Sequence, residues 1–505
     1  MPPHSRSLRA RLTRPAGAAI GVALVAALPA VALAHGMSPV YQSPLPLAVY
    51  LVGAAVTVAL SFLFVLARDM RAPEIPPDRV VRVPAWVRMP LRVIGLGAWL
   101  WIMAQGIAGG SSNGAVAPLF LWIYGWVGIA MASAFLGPVW EWVDPFATLH
   151  DILAAVLHAL GMHGWSISEL PPVLRVWPAA IGLAFFVWLE LVPTVSSATL
   201  TVVLAGYTAL TLALMAQFGR DQWRAQGETF TVWFRTLNRL AVYGVVPAET
   251  TANPDELDAL DPDAVDPRVV ARRPFATALL TARWTPALVV LISFGVASII
   301  FDGISQTVAF ASVFGAPGLV PKTLLLLAWL GIVAAAALWV GRTVSWGAIG
   351  AGLLPIAVGY LVAHYLTYLL IGGQGIVVAV SDPLQQGWDL FGTAFFQPDG
   401  SWLPAGLVWT LQLAAVVGGH MLGAWAGHVT AQRDAEALAN AKPPRDMRHR
   451  KLPATPAPKR NVRRREIPLA IVMVALTTIT LWSLGQAIVV EKAAEGCGPR
   501  VVAGL

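Results

Sequence analysis

Three ionisable side chains stand inside apolar runs of membrane length. They are Glu190 in FVWLELV, Asp302 in SIIFDGISQ and His364 in YLVAHYLTYLLIGGQG. Hydrocarbon penalises charge heavily, so ionisable residues at such depth point to function. Two carboxylates and an imidazole at one level suit zinc, manganese or iron, and such a metal could activate water for attack on an ester. The same groups could instead relay protons or hold a cation in a transporter. They could also serve packing alone, each satisfied by a neighbouring helix.

The elements that must position these residues follow from composition. The chain has 505 residues, of which 57% are hydrophobic and 12% charged, with 21 Trp. Soluble domains carry roughly 25% charged residues, so an all-α polytopic membrane helix bundle is expected. Ten spans are predicted, at 46–67, 91–109, 116–137, 176–193, 197–218, 286–308, 321–341, 350–371, 404–427 and 467–490. The segment 1–34 reads as a cleaved signal peptide, with a basic start, an apolar stretch and Ala32-Leu33-Ala34 at the cleavage position. Cleavage would leave His35 at the mature N-terminus, where its α-amine and imidazole suit copper.

Charge then sets orientation. Lys and Arg collect in the loops at 68–88, 219–285 and 428–466, and are scarce in the others. The positive-inside rule places those three loops in the cytoplasm, with both termini on the opposite, extracytoplasmic side. The expected organisation is a membrane core over 35–428, a basic disordered arm over 429–466, a last helix over 467–490 and a tail over 491–505. The arm, rich in Lys442–Arg465 cations, suits anionic lipid headgroups, and no nucleic-acid module accompanies it. The single cysteine, Cys497, excludes a disulfide framework, an Fe–S cluster and a Cys-rich zinc site.

With orientation set, depth follows at about 1.5 Å per residue. Asp302 then lies about 9 Å, His364 roughly 10 Å and Gln412 about 12 Å below the outer ends of their spans. Glu190 and Gln105 lie near the outer ends of theirs, Gln306 is a turn beyond Asp302, and Gln374 is in the loop after His364. These residues share one level in the outer leaflet, so Gln105, Gln306, Gln374 and Gln412 are expected to line a cavity around the three ionisable groups. His420 is about 12 Å deeper than His364, which makes it a poor co-ligand. It shares a face with Gly418, Gly419 and Gly423, which permit close helix approach. His428 is deeper still, and paired haem ligation by the two is the remaining metal use.

Two loop stretches read as interfacial amphipathic helices, one opened by Asp144-Pro145 and one over Gln222–Tyr243. His150, His158 and His163 belong to the first and match no metal spacing. The acidic, Pro-rich segment 247–267 reads as a flexible linker, and it lacks the glycine and the closing glutamate of a calcium loop. No P-loop, G-x-S-x-G or H-E-x-x-H is present, so ATP-driven transport and familiar hydrolases lack support.

Several stretches in order resemble one family. They are AHG after the signal, PLPLAVYLVGAAVTVALSFLFVL, WPAAIGLAFFVWLELV, YTALTLALMAQFG with ETFTVWFRTLNRLA, FDGIS, YLVAHYLTYLLIGGQG with SDPLQQGWDLFG, and the Gly-His stretch at His420. Together, over about 35–428, they resemble the bacterial integral-membrane fenitrothion hydrolase family. The resemblance implies hydrolysis of an organophosphorothioate triester to a nitrophenol and a dialkyl thiophosphate. It carries no catalytic residues to these positions. Three functions therefore stand as expectations: a metal-assisted hydrolase using Asp302, His364 and Glu190, a permease using the same residues on a metal ion or an unknown small solute, and a non-catalytic partner of a periplasmic metalloprotein.

Overall fold

The computed structural model describes residues 74–110, 114–162, 167–252, 261–440 and 466–484, with a few positions before residue 61. The predicted signal peptide, His35, nearly all of the first span, His163, the basic stretch 441–465, the tail and Cys497 lie outside the described residues.

The chain is an all-α membrane bundle. Its main helices are α1 (Ala85–Ala108), α2 (Val116–Phe135), α3 (Pro145–Ala159), α4 (Trp177–Leu191), α5 (Ser197–Phe218), α6 (Arg220–Gln226), α7 (Thr229–Leu237), α8 (Pro286–Ser305), α9 (Leu319–Thr343), α10 (Trp346–Thr367), α11 (Ala405–Asn440) and α12 (Ile467–Leu484). Among the described residues seven are long and apolar enough to cross a membrane, while α4 and α12 are shorter apolar helices. Nine of the ten predicted spans thus correspond to helices. Much of α2 is π-helical, over Leu119–Ile129.

Local sequence explains the starts. Pro286 opens α8, and the Thr285 hydroxyl accepts from the Leu288 amide. Ser345 caps α10 in the same way. Asp144 caps α3 by accepting from Phe146 and Ala147, as its Asp-Pro start predicts. Leu153 and Val156 of α3, and Leu160 just after it, are exposed from the protein, whereas His150 is buried against Asp151.

The most extensive helix packing is between α10 and α11. Glycine makes it possible: a Cβ at Gly423 would fall 2.3 Å from the Gly352 carbonyl oxygen, and one at Gly419 would fall 2.6 Å from that of Pro355. Small residues four apart let the two backbones touch. Gly418 has open space beside it, so the packed face is Gly419, Gly423 and Gly427 and excludes Gly418. Helix α8 lies at the centre, against α4, α9, α10 and α12. The helical part of α11 runs to Asn440, twelve residues into the segment expected to be disordered from 429.

At the end of the bundle where α8 begins, the loops fold into a three-stranded antiparallel sheet. It comprises β1 (Arg79–Arg82), β2 (Tyr243–Gly244) and β3 (Val269–Arg272), in the order β1-β3-β2, with Arg79 opposite Arg272. Of the segment 247–267, expected to be a flexible linker, residues 253–260 lie outside the described residues. Pro247 bridges Val265, and Asp266 accepts from Thr251 and Arg268, so both ends of that segment are tied down.

The predicted interfacial helix over Gln222–Tyr243 is corrected. It is two short helices, α6 and α7, tucked into the protein, because their aromatics have partners there. Trp233 stacks on Trp126 with ring centroids 5.7 Å apart, and Phe230 meets Phe186 edge-on at 5.2 Å. Their arginines have partners too. The buried Arg224 donates to Asp144 at 3.0 Å and to Glu141 at 3.0 Å, and Arg235 donates to Glu141 at 2.6 Å. Burial alone would raise the Glu141 carboxyl, but Arg235 and Arg224 outweigh it and hold it at about 2.

Candidate functional site

The site lies at the other end of α8. Asp302 sits on its last turn and faces α10, which delivers His364 and Tyr365. His364 Nε2 is 2.9 Å from Asp302 Oδ2, and the Tyr365 hydroxyl donates to the same oxygen at 3.0 Å. Gln306, one turn along from Asp302, donates to Oδ1 at 2.7 Å. Three donors therefore converge on one carboxylate, which has the lone pairs to accept them all. The pair is half enclosed, with the His364 side chain 21% and that of Asp302 13% exposed.

Glu190 approaches from α4, close enough for its charge to act on Asp302. Its Oε2 is buried and has no hydrogen-bond partner among the described residues. A buried oxygen in that condition forfeits the hydration it would have in water, a cost of ~1–3 kcal/mol or more. From α9, Lys322 lies within electrostatic reach of Asp302, and Tyr368 feels both carboxylates. On the last side α12 closes the site. A Cβ on Gly303 would sit 3.1 Å from the Ser483 hydroxyl and 3.7 Å from His364 Cε1.

The structure thus brings together Asp302, His364, Gln306 and, at longer range, Glu190. It does not make them a metal centre. Among the described residues no three His, Cys, Asp or Glu side chains gather closely enough to hold a metal ion. The expected ligand set of His364, Asp302 and Glu190 is corrected accordingly. His364 and Asp302 spend their facing atoms on each other, and Glu190 does not close the triangle. The zinc, manganese or iron reading at this position falls with it, and the copper reading at His35 lies outside the described residues.

Three of the four glutamines expected in a cavity hold backbone instead. Gln105 is buried, donates to the Gly114 carbonyl at 2.8 Å and accepts from the Val116 amide at 2.8 Å, which fixes the turn between α1 and α2. Gln374 donates to the carbonyls of Leu370 and Asp399 and accepts from the Asp399 amide, tying down the loop after α10. Gln412 donates to the Ala363 carbonyl at 2.8 Å, clamping α11 to α10 beside His364. Only Gln306 reaches the ionisable groups.

Several polar residues were missed by the sequence reading. Tyr365 and Tyr368 follow His364 in HYLTYL, and Lys322 opens α9. Counting tyrosine hydroxyls alongside charges would have found the first two. Farther along the bundle, the wholly buried His420 places Nδ1 2.7 Å from the Val416 carbonyl and Nε2 3.3 Å from the Tyr360 hydroxyl. His428 places Nδ1 2.6 Å from Oε2 of Glu466, which was expected to belong to the arm. The two histidines therefore have different partners, and a shared haem is not supported by their surroundings.

Fold and site define a multi-pass membrane protein with a carboxylate–imidazole pair set within its helices. Against protein-family models, curated proteins and solved structures, the chain finds no match.

Proposed function

We propose that this protein is a proton-coupled permease, with Asp302 and His364 as its proton-exchanging pair and Glu190 as a second acceptor. The observation that carries this reading is the Asp302–His364 contact beside Glu190. It joins residues from three separate helices, and one carboxylate oxygen there lacks a donor among the described residues. Ionisable groups placed this way in a bundle interior are the usual parts of proton relays. By the charge rule, the end bearing the sheet, with Arg79, Arg82, Arg268, Arg272 and Arg273, faces the cytoplasm and the Asp302 end faces outward. The test uses purified protein in vesicles with a trapped pH dye and a potassium–valinomycin potential. Protein-containing vesicles should acidify well above protein-free ones, and equal rates would end the proposal.

A second reading is favoured by the half-open His364 imidazole, which Asp302 could orient as a general base toward water. It fits the resemblance to fenitrothion hydrolases, in a form that draws no ligands from this site. Purified protein would release nitrophenol from the triester, and release no greater than the detergent blank would dismiss it.

A further inference from the structure

At the sheet end of the bundle, four arginines gather around the turn that leads into α8. Arg239, half-buried just after α7, lies over the Trp284 ring with its guanidinium carbon 4.3 Å from the ring centroid. Its Nη1 donates to the Arg283 carbonyl at 3.3 Å. Arg273, the residue after β3, donates to the Asn238 carbonyl at 2.9 Å, beside Arg239 in the chain. Arg433 of α11 donates to the Leu280 carbonyl at 3.1 Å, and Arg283 is exposed just before the Thr285 cap of α8.

None of these four cations meets a carboxylate. The arginine ion pairs among the described residues belong to Arg92, Arg220, Arg224, Arg235 and Arg268. Asp78 acts on Arg273 only from beyond ion-pair distance. Backbone carbonyls carry no net charge to balance a guanidinium, which has five N–H donors to place. Arg239 and Arg273 also repel each other. Burial first, and then the charge of Arg273, lower the Arg239 guanidinium to about 10.

The packing holds the cations where they are. Trp284 is fixed on two sides: its indole N–H donates to the Leu279 carbonyl at 3.1 Å, and a Cβ on Gly350 of α10 would fall 2.3 Å from its ring. Arg239 therefore rests on a rigid platform. Stacking of this kind engages the face of a guanidinium and leaves its N–H edge for an acceptor. Arg273 lies directly against β2, where a Cβ on Gly244 would fall 2.5 Å from its Nη1. Apolar surface adjoins the cluster. Phe275, two residues past Arg273, stacks parallel on Phe135 at the end of α2 with ring centroids 6.2 Å apart, and both rings are exposed.

We infer that Arg239 and Arg273, with Arg283 and Arg433 beside them, form a binding site for a phosphate group, carried by an anionic phospholipid or free in solution. Phosphate oxygens supply the negative charge that the cluster lacks, and a guanidinium fork matches two of them at once. The exposed Phe135–Phe275 pair, at the level where the spans begin, favours the lipid, whose acyl chains it can meet below a basic headgroup pocket. The site is at the opposite end of α8 from Asp302 and does not depend on the permease reading.

The experiment follows the thermal transition of the full-length protein in detergent as phosphatidylglycerol, phosphatidylcholine or sodium phosphate is added, with chloride matching the ionic strength of the phosphate series. Phosphatidylglycerol should raise the wild-type transition by about 3 °C or more, and phosphatidylcholine should not. Arg239→Gln and Arg273→Gln should each need about tenfold more phosphatidylglycerol for the same rise. Arg342→Gln, which alters an exposed arginine of α9, should match wild type. A rise with sodium phosphate as well, lost in the same two variants, would assign the site to the free ion; a rise with phosphatidylglycerol alone assigns it to the lipid. If the glutamine variants have no thermal transition, Arg239→Lys decides, since lysine keeps the charge and loses the fork, and it should need about threefold more lipid. No rise with either probe, rises equal to wild type in the Arg239 and Arg273 variants, or an equal loss in Arg342→Gln would overturn the site.

Discussion

Asp302 and His364 lie 62 residues apart in the chain and meet at 2.9 Å. The contact joins the end of α8 to the end of α10, and Tyr365 and Gln306 complete the set of donors around the carboxylate. The proposed function turns on that pair.

Removing one donor should weaken the site without breaking the bundle. A hydrogen bond to a charged group contributes about 1.5–3 kcal/mol. Tyr365→Phe should therefore slow proton uptake about tenfold while leaving the elution profile of the purified protein unchanged. An unaltered rate would show that the third donor is dispensable.

The α10–α11 contact makes a separate prediction. Gly423→Ala should lower the thermal transition markedly, because its Cβ would fall 2.3 Å from a backbone oxygen that cannot swing aside. Overpacking of this kind costs about 1–3 kcal/mol. Gly418→Ala, with open space around it, should leave the transition within a degree or so of wild type. Equal effects of the two would contradict the packing described.

At the sheet end, Arg224 and Arg235 converge on Glu141, whose folded pKa of about 2 lies below its ordinary value. A depressed acid contributes its stability above the unfolded pKa and loses it as pH falls through the folded one. Stability in detergent should therefore decline between about pH 4.5 and pH 2, by on the order of 3 kcal/mol. Glu141→Gln should be destabilised at neutral pH, since two arginines lose a charged partner, and its decline over that acid range should be shallower. A wild-type protein insensitive to pH across that window would argue against the cluster.

Gln105 tests the distinction between scaffold and site. Gln105→Leu removes the acceptor of the Val116 amide and should cost about 1–3 kcal/mol in stability. Per folded molecule, its proton uptake should match wild type.

Much of this was legible in the sequence because hydropathy fixes where helices lie. Charge in the loops carries only an expected direction, and the shared depth of Asp302, His364 and Glu190 is an expectation that rests on it. What the fold adds is the contact between Asp302 and His364. Gln306 was found because it is one turn from Asp302 on the same helix. Depth carries no azimuth, however, and so Gln105, Gln374 and Gln412 are assigned by it to a cavity, whereas their amides hold backbone groups. The sheet escaped notice because its strands are at most four residues long and read as charged loop. The burial of Trp233 and Phe234 escaped for a related reason: an aromatic–arginine pattern looks the same whether its partner is lipid or protein. Glu466 was hidden by the basic run before it, and only the fold places it against His428.

The central claim is that protons enter at Asp302, and one substitution reads it most directly. Initial proton uptake should be compared in vesicles holding equal amounts of wild type and Asp302→Asn, an exchange that keeps shape and removes the titratable group. The account predicts a fall of at least tenfold, to near the protein-free rate. Uptake by Asp302→Asn equal to wild type would contradict it.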